Sequence, residues 1–95
     1  MLIRSQNKNL IYCMKGADAI YIRDNGYREL FKPYKYNEPT EWIIVTTSYN
    51  LGIYSSKEKA QKVLDMIEEV YLYANGYDYI RNVTFQMPQD DEVII

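Results

Sequence analysis

Residues 54–76, YSSKEKAQKVLDMIEEVYLYANG, constrain the fold more than any other segment because they carry a complete helix pattern. Ser55 is the predicted N-cap, and Glu58 three residues later would complete a capping box. Gly76 is a typical residue for a helix end. An apolar stripe at helical spacing comprises Ala60, Val63, Leu64, Ile67, Val70, Tyr71 and Ala74. The segment therefore predicts one helix over residues 56–75, which must bury this stripe against another layer.

The charged residues of this helix run against the helix dipole. The first half carries lysines and the second half carries acids: Lys57, Lys59, Lys62, Asp65, Glu68 and Glu69. A helix macrodipole favours anions near its N-terminus and cations near its C-terminus. Two interpretations stay open. The favoured one is a solvated face on which the order has little consequence. The other is a partner-binding surface, for which the helix candidates are Lys59, Lys62, Glu69 and Tyr73.

The rest of the chain reads as short strands separated by turns. The predicted strands cover residues 2–5, 10–14, 17–23, 27–32, 41–47, 52–54 and 82–87. Asn25-Gly26 predicts a type I′ hairpin, which would pair residues 27–32 with residues 17–23. The β-branched and aromatic run at 41–47 predicts a central strand.

Together these elements predict an α+β fold, in which a curved antiparallel sheet of five or six strands packs against one long helix. We expect a single domain over residues 1–95 because a chain of this length has room for one modest core. The core residues we expect are Leu10, Ile20, Ile22, Trp42, Ile44, Val63, Leu64, Ile67 and Val70.

Several kinds of chemistry lack the residues they need. The chain has no histidine and one cysteine, Cys13, which excludes histidine-based nucleophilic triads and thiolate metal sites. We expect Cys13 to be a small buried apolar residue. The acids at 90–92 lack the spacing of a calcium loop, so we expect a solvated tail there. The sequence therefore predicts neither an enzyme nor a metal or cofactor site.

The N-terminal residues and the longest apolar run indicate the cellular compartment of the protein. MLIRSQNKN has no apolar stretch typical of a signal peptide, and the run at 42–45 is too short to cross a membrane. A single cysteine fits a reducing compartment. We therefore expect a cytoplasmic protein that does not enter a membrane.

The charges are unevenly divided along the chain. Residues 1–37 hold seven basic and three acidic side chains, whereas residues 38–95 hold four basic and ten acidic ones. The halves either attract each other within the fold, which we favour, or present faces of opposite sign. The chain also carries eleven tyrosines, more than one small core needs, so some should lie on a contact surface.

A second candidate surface is the segment FKPYKYNEP at residues 31–39, which interleaves aromatic residues with lysines. The candidate partner-binding residues here are Lys32, Tyr34, Lys35 and Tyr36. Three interpretations stay open: an ordinary surface loop, a protein contact, or a stacking platform for single-stranded nucleic acid.

Three further motifs are LIRSQ at 2–6, GIYSSKEKAQKVLDMI at 52–67 and FQMPQDDEV at 85–93, which together make up about a third of the chain. With these motifs the chain resembles a family of small proteins from Firmicutes genomes and their phages. Residues 24–50 depart from the family pattern. The resemblance implies a Gram-positive or phage setting and carries no activity or site residue with it.

The leading functional hypothesis is a small protein-binding accessory or regulatory protein of phage or mobile-element type, with inhibition of a host defence system as one form. The alternative is a nucleic-acid-binding module that uses the basic N-terminal half. The partner expected is another protein, and the sequence leaves the oligomeric state open.

Overall fold

The computed structural model describes residues 1–14, 18–28, 36–75 and 83–95, with the backbone alone described at 27–28, 36–37 and 73–75. The elements in chain order are β1 (Leu2–Arg4), β2 (Ile11–Cys13), β3 (Tyr21–Asp24), β4 (Tyr27–Arg28), β5 (Tyr36–Asn37), β6 (Trp42–Val45), β7 (Asn50–Tyr54), α1 (Lys57–Asn75), β8 (Thr84–Gln86) and a 3₁₀ turn (Asp90–Glu92).

The strands form two three-stranded sheets and one two-stranded ladder. Sheet A has the order β2-β1-β8, sheet B has the order β3-β6-β7, and β4 pairs with β5. All these pairs are antiparallel except β1 with β8. The α+β class and the single long helix are confirmed, and β6 is central in sheet B as its sequence predicts. The expected single sheet is divided into two.

The core lies where α1 packs against the inner face of sheet B and where sheet A adds its inward residues. Ile3 and its cross-strand neighbour Phe85 point into this core from sheet A. Of the expected core residues, Ile44, Val63 and Ile67 are buried. The others pack against the core while partly exposed: Leu10, Ile20, Ile22, Trp42, Leu64 and Val70.

The predicted hairpin at Asn25-Gly26 is wrong. Neither residue has the positive φ that a type I′ turn requires. The Asn25 side-chain oxygen instead accepts hydrogen bonds from the backbone N–H groups of Thr40 (2.8 Å) and Glu41 (3.0 Å). This contact joins the end of β3 to the start of β6, so β3 pairs with β6. The rest of the predicted strand, residues 29–32, lies outside the described residues.

The start of α1 differs from the prediction by one residue. The backbone N–H of Lys59 donates to Ser56 Oγ at 3.2 Å, so Ser56 is the N-cap and the predicted capping box with Glu58 does not form. Ser55 is engaged elsewhere, as described below. The helix ends at Asn75, and Gly76 lies outside the described residues.

Two further expectations are corrected. Cys13 is exposed because its register partner is Leu2 on the outer face of sheet A, while Tyr12 faces inward opposite Ile3. The acidic segment is not a solvated tail, since it forms the 3₁₀ turn and leads to Val93, which is buried in the core. In the described ranges, no helix is both long enough and apolar enough to span a bilayer.

Candidate partner-binding surface

The lysines in the first half of α1 contact the C-terminal segment. Lys59 Nζ donates to the backbone oxygen of Asp90 at 2.9 Å and lies 3.4 Å from its Oδ2. Lys62 Nζ donates to the backbone oxygen of Ile94. Both lysines are sequence-predicted partner-binding residues, and the structure gives both of them partners within the chain. These contacts explain why cations lie in this half of the helix.

Asp90 is the acidic centre of these contacts. Its Oδ1 accepts the backbone N–H of Ser55 at 2.8 Å, and its Oδ2 accepts the Ser55 hydroxyl at 3.0 Å. The hydrogen bond from the Ser55 backbone, aided by the Ser55 hydroxyl and Lys59, holds the pKa of Asp90 below its usual value. Asp90 therefore ties the residue before the helix to the chain that follows β8.

Gln6 connects the two sheets at the outer edge of β7. Its backbone N–H donates to Leu51 O at 2.8 Å. Its side chain accepts from the N–H of Ile53 (2.9 Å) and donates to the carbonyl of Ile53 (3.0 Å). The side-chain amide thus makes the pair of bonds that a neighbouring strand residue would make, and it covers an edge that would otherwise be unpaired.

Further bonds close this polar cluster onto the C-terminal segment. Tyr54 Oη donates to Pro88 O at 2.8 Å, and burial raises the pKa of this hydroxyl. Gln89 Nε2 donates to Gln6 O at 2.7 Å. Segments 2–6, 52–67 and 85–93 therefore meet in one place. Their shared polar residues hold the sheets and the helix together.

The second half of α1 carries polar residues that the fold does not use. Asp65, Glu68 and Glu69 are exposed, and their side chains make no hydrogen bond or ion pair within the described ranges. Leu72 is 59% exposed and lies three or four residues from two of these acids. Residues at this spacing are neighbours on a helix surface. We call these four residues the acidic helix face.

A cavity of about 250 Å³ adjoins the acidic helix face. It lies between α1 and two residues that flank the strands, Met14 after β2 and Ile20 before β3. Its walls among the described residues are Met14, Ile20, Leu64, Ile67, Glu68 and Tyr71. Glu68 therefore belongs to both features, and it is the acid in an otherwise largely apolar lining. We call this space the helix cavity.

The remaining candidate residues are not placed by the structure. Lys32, Tyr34 and Lys35 lie outside the described residues. The backbone of Tyr36 pairs with Arg28 in the β4–β5 ladder, and the backbone of Tyr73 lies in α1, but neither side chain is described. Of the predicted surface residues, Glu69 is the one that the structure places on the acidic helix face.

Sequence reasoning missed Leu72 and the helix cavity. The position of Leu72 off the apolar stripe was a readable signal, because a large apolar residue there must face away from the sheet. The cavity had no such signal, since its walls come from three separate segments. Metal binding has no candidate cluster of three His, Cys, Asp or Glu residues in the portion of the chain that the structure describes.

A smaller polar pocket lies at the loop between β6 and β7. Tyr12 Oη donates to Asp18 Oδ2 at 2.6 Å, and this hydrogen bond raises the pKa of Tyr12 to about 12. The ring of Tyr49 lies 6.3 Å from that of Tyr12, in a tilted arrangement. The pocket measures about 100 Å³, too small for more than a few waters, and the hydrogen bond makes Tyr12 a poor proton donor or acceptor near neutral pH.

Comparisons of this chain with protein-family models, with curated proteins and with solved structures found no match.

Proposed function

We propose that this chain is a small protein-binding accessory or regulatory protein and that the acidic helix face, with the helix cavity beside it, contacts the partner. The observation that carries the proposal is the exposed Leu72 among acids that the described fold leaves unpaired. Protein interfaces commonly place apolar residues at their centre and polar residues at the rim. Leu72 is exposed and has Glu68 and Glu69 one turn before it on the helix, which fits that arrangement.

The biological setting we propose rests on the resemblance of residues 2–6, 52–67 and 85–93 to small Firmicutes and phage proteins. It favours a cytoplasmic protein of a phage or mobile element, and inhibition of a host defence system is one form that its regulation could take. The proposal includes no enzymatic step and no cofactor, because the sequence lacks histidine and a second cysteine.

The test is affinity capture of a tagged protein in a Gram-positive lysate, with and without nuclease, read by mass spectrometry. The informative variant is Leu72→Arg. Its matched control is Ile11→Arg, because Ile11 is 60% exposed and lies on the outer face of sheet A. We expect a discrete protein that survives nuclease treatment, is lost with Leu72→Arg and is retained with Ile11→Arg.

The opposite outcomes are equally specific. A partner lost with Ile11→Arg and retained with Leu72→Arg would move the binding surface to sheet A. Recovery that vanishes with nuclease and falls steeply with salt would favour the nucleic-acid alternative. In the described part of the basic N-terminal half, the Arg4 guanidinium donates to Lys8 O, while the side chains of Lys8 and Arg23 are exposed and would be the residues to test for that alternative.

A further inference from the structure

The helix cavity and the acidic helix face together indicate what kind of partner segment would bind. We propose that the cavity receives one large apolar side chain from a basic segment of a protein partner, whose neighbouring lysines or arginines contact Glu68 and Asp65. This inference rests on the proposed function and adds to it the chemistry of the ligand.

The size of the cavity favours a single side chain. Pockets that hold cofactors and drug-sized molecules usually measure about 300–1,000 Å³. At about 250 Å³ the helix cavity falls below that range, it is open to solvent, and Glu68 in its lining is exposed. Its walls include Met14, Leu64 and Ile67, which offer apolar contact without hydrogen-bonding groups. Methionine adapts readily to side chains of different shape, which suits the binding of an inserted residue.

The charge around the opening favours a basic segment. Glu68 lines the cavity, Asp65 lies one turn before it, and Leu72 lies one turn after it. In the described part of the chain neither acid forms an ion pair, and Lys62, three residues before Asp65, donates to Ile94 O instead. A partner segment with lysine or arginine next to its apolar residue would neutralise both acids and cover Leu72. Phosphate groups or an acidic segment would be repelled at the same place.

The experiment is selection of random peptides of about a dozen residues against the immobilised full chain, by a cell-free display method. We expect the selected peptides to share one large apolar residue with at least two lysines or arginines close by. The best peptide is then measured by fluorescence anisotropy against variants. Leu64→Trp and Ile20→Trp each fill the cavity, one from the helix and one from the strand side. Circular dichroism and thermal unfolding confirm that each variant is folded.

We expect each folded cavity-filled variant to bind the selected peptide with an affinity about tenfold lower or more, which is the size of effect that loss of an anchor residue has. Glu68→Lys should weaken it severalfold. The matched control is Glu58→Lys, the same charge change on an exposed position of α1 about 15 Å earlier along the axis. It should leave the affinity unchanged. Raised salt should lower the affinity because the contacts at Glu68 and Asp65 are screened.

Each other outcome overturns the inference. Selection of acidic or uncharged peptides contradicts the charge argument, and unchanged binding to a folded cavity-filled variant contradicts the cavity argument. Failure to select any peptide, while affinity capture still recovers a protein that Leu72→Arg loses, overturns the inference and leaves the proposed function intact. If affinity capture recovers no protein, the proposed function fails and this inference fails with it.

Discussion

The two halves of α1 share one apolar face but differ in what their polar residues contact. In the first half, Lys59 and Lys62 bind the backbone of the C-terminal segment, and Lys59 also lies beside the Asp90 carboxylate. In the second half, Asp65, Glu68 and Glu69 have no such partner among the described residues. One half of the helix surface therefore contacts the C-terminal segment, while the other half makes no such contact among the described residues.

The energies explain why the charge order is tolerated. A charge that opposes the helix dipole costs about 0.3–1 kcal/mol, and only within the terminal turn. A hydrogen bond to a charged group contributes about 1.5–3 kcal/mol when buried, and less for a partly exposed pair such as Lys59 with Asp90. The tertiary contacts of the lysines are therefore similar in size to the unfavourable dipole term, and they offset it in the first half of α1.

The largest expected effect is a difference in unfolding free energy between the buried side and the exposed side of the second half of α1. Ile67→Ala should lower the free energy of unfolding by about 2–5 kcal/mol, because it leaves a cavity against sheet B. Leu72→Ala should change it by less than about 0.5 kcal/mol. Urea unfolding of the two variants measures the difference. A large loss of stability with Leu72→Ala would show that this residue serves the fold, and the proposed surface would be wrong.

The next effect tests the contact between the first half and the C-terminal segment. Asp90→Ala removes the bonds to Ser55 and to Lys59, and we expect it to cost about 1 kcal/mol after allowance for its partial exposure. For a chain of this size that corresponds to a fall in melting temperature of about 4–8 °C. The control is Asp91→Ala, at a neighbouring exposed acid for which the structure shows no hydrogen bond or ion pair. Equal melting temperatures for the two variants would contradict a special role for Asp90.

The same contact predicts a pH dependence. The pKa of Asp90 is lower in the folded state than the ordinary value of about 3.9, so its stabilising contribution is present above that pH and is lost as the pH falls through the folded pKa. The difference in unfolding free energy between the wild type and Asp90→Asn should therefore stay constant from about pH 7 to 5 and shrink below about pH 4. Urea titrations across this range measure this difference. A difference that grows on acidification would contradict a lowered pKa of Asp90 in the folded state.

The smallest expected effect lies in the exposed acids of the second half. Glu69→Gln should change the free energy of unfolding by no more than a few tenths of a kcal/mol, because Glu69 is exposed, unpaired in the described chain and more than one turn from the helix end. Its effect on partner binding should be greater, with a weaker affinity at low salt. A stability change of about 1 kcal/mol or more would assign Glu69 to the fold.

Some features follow from local sequence because they depend on spacing alone. The helix, its apolar side and the buried Ile44, Val63 and Ile67 are all confirmed, since a period of 3.6 residues or an unbroken β-branched run needs no knowledge of distant residues. The wrong predictions concern residues whose polar groups contact a distant segment of the chain instead of the local turn or helix end that the sequence favours. At Asn25 the side chain bonds the backbone near Thr40, and at Ser55 the acceptor is Asp90, which lies 35 residues away.

The candidate surface also has some features that local sequence predicts and others that depend on the tertiary structure. The exposure of Leu72 is readable from its place off the stripe, whereas the pairing of Lys59 and Lys62 depends on where the chain after β8 lies. The helix cavity depends on the relative positions of β2, β3 and α1. The partner-binding prediction for Lys32, Tyr34 and Lys35 stays a prediction, because these residues lie outside the described ranges.

By itself the sequence determined the α+β class, the amphipathic helix and the absence of histidine-based chemistry, because composition and periodicity are properties of the chain alone. Only the tertiary structure decided that the strands divide into separate sheets, that Gln6 connects sheet A to sheet B and that Asp90 connects the C-terminal segment to α1. It also decided which charges of α1 are satisfied. Hydrogen bonds and ion pairs between distant segments depend on distance in space, which no local pattern encodes.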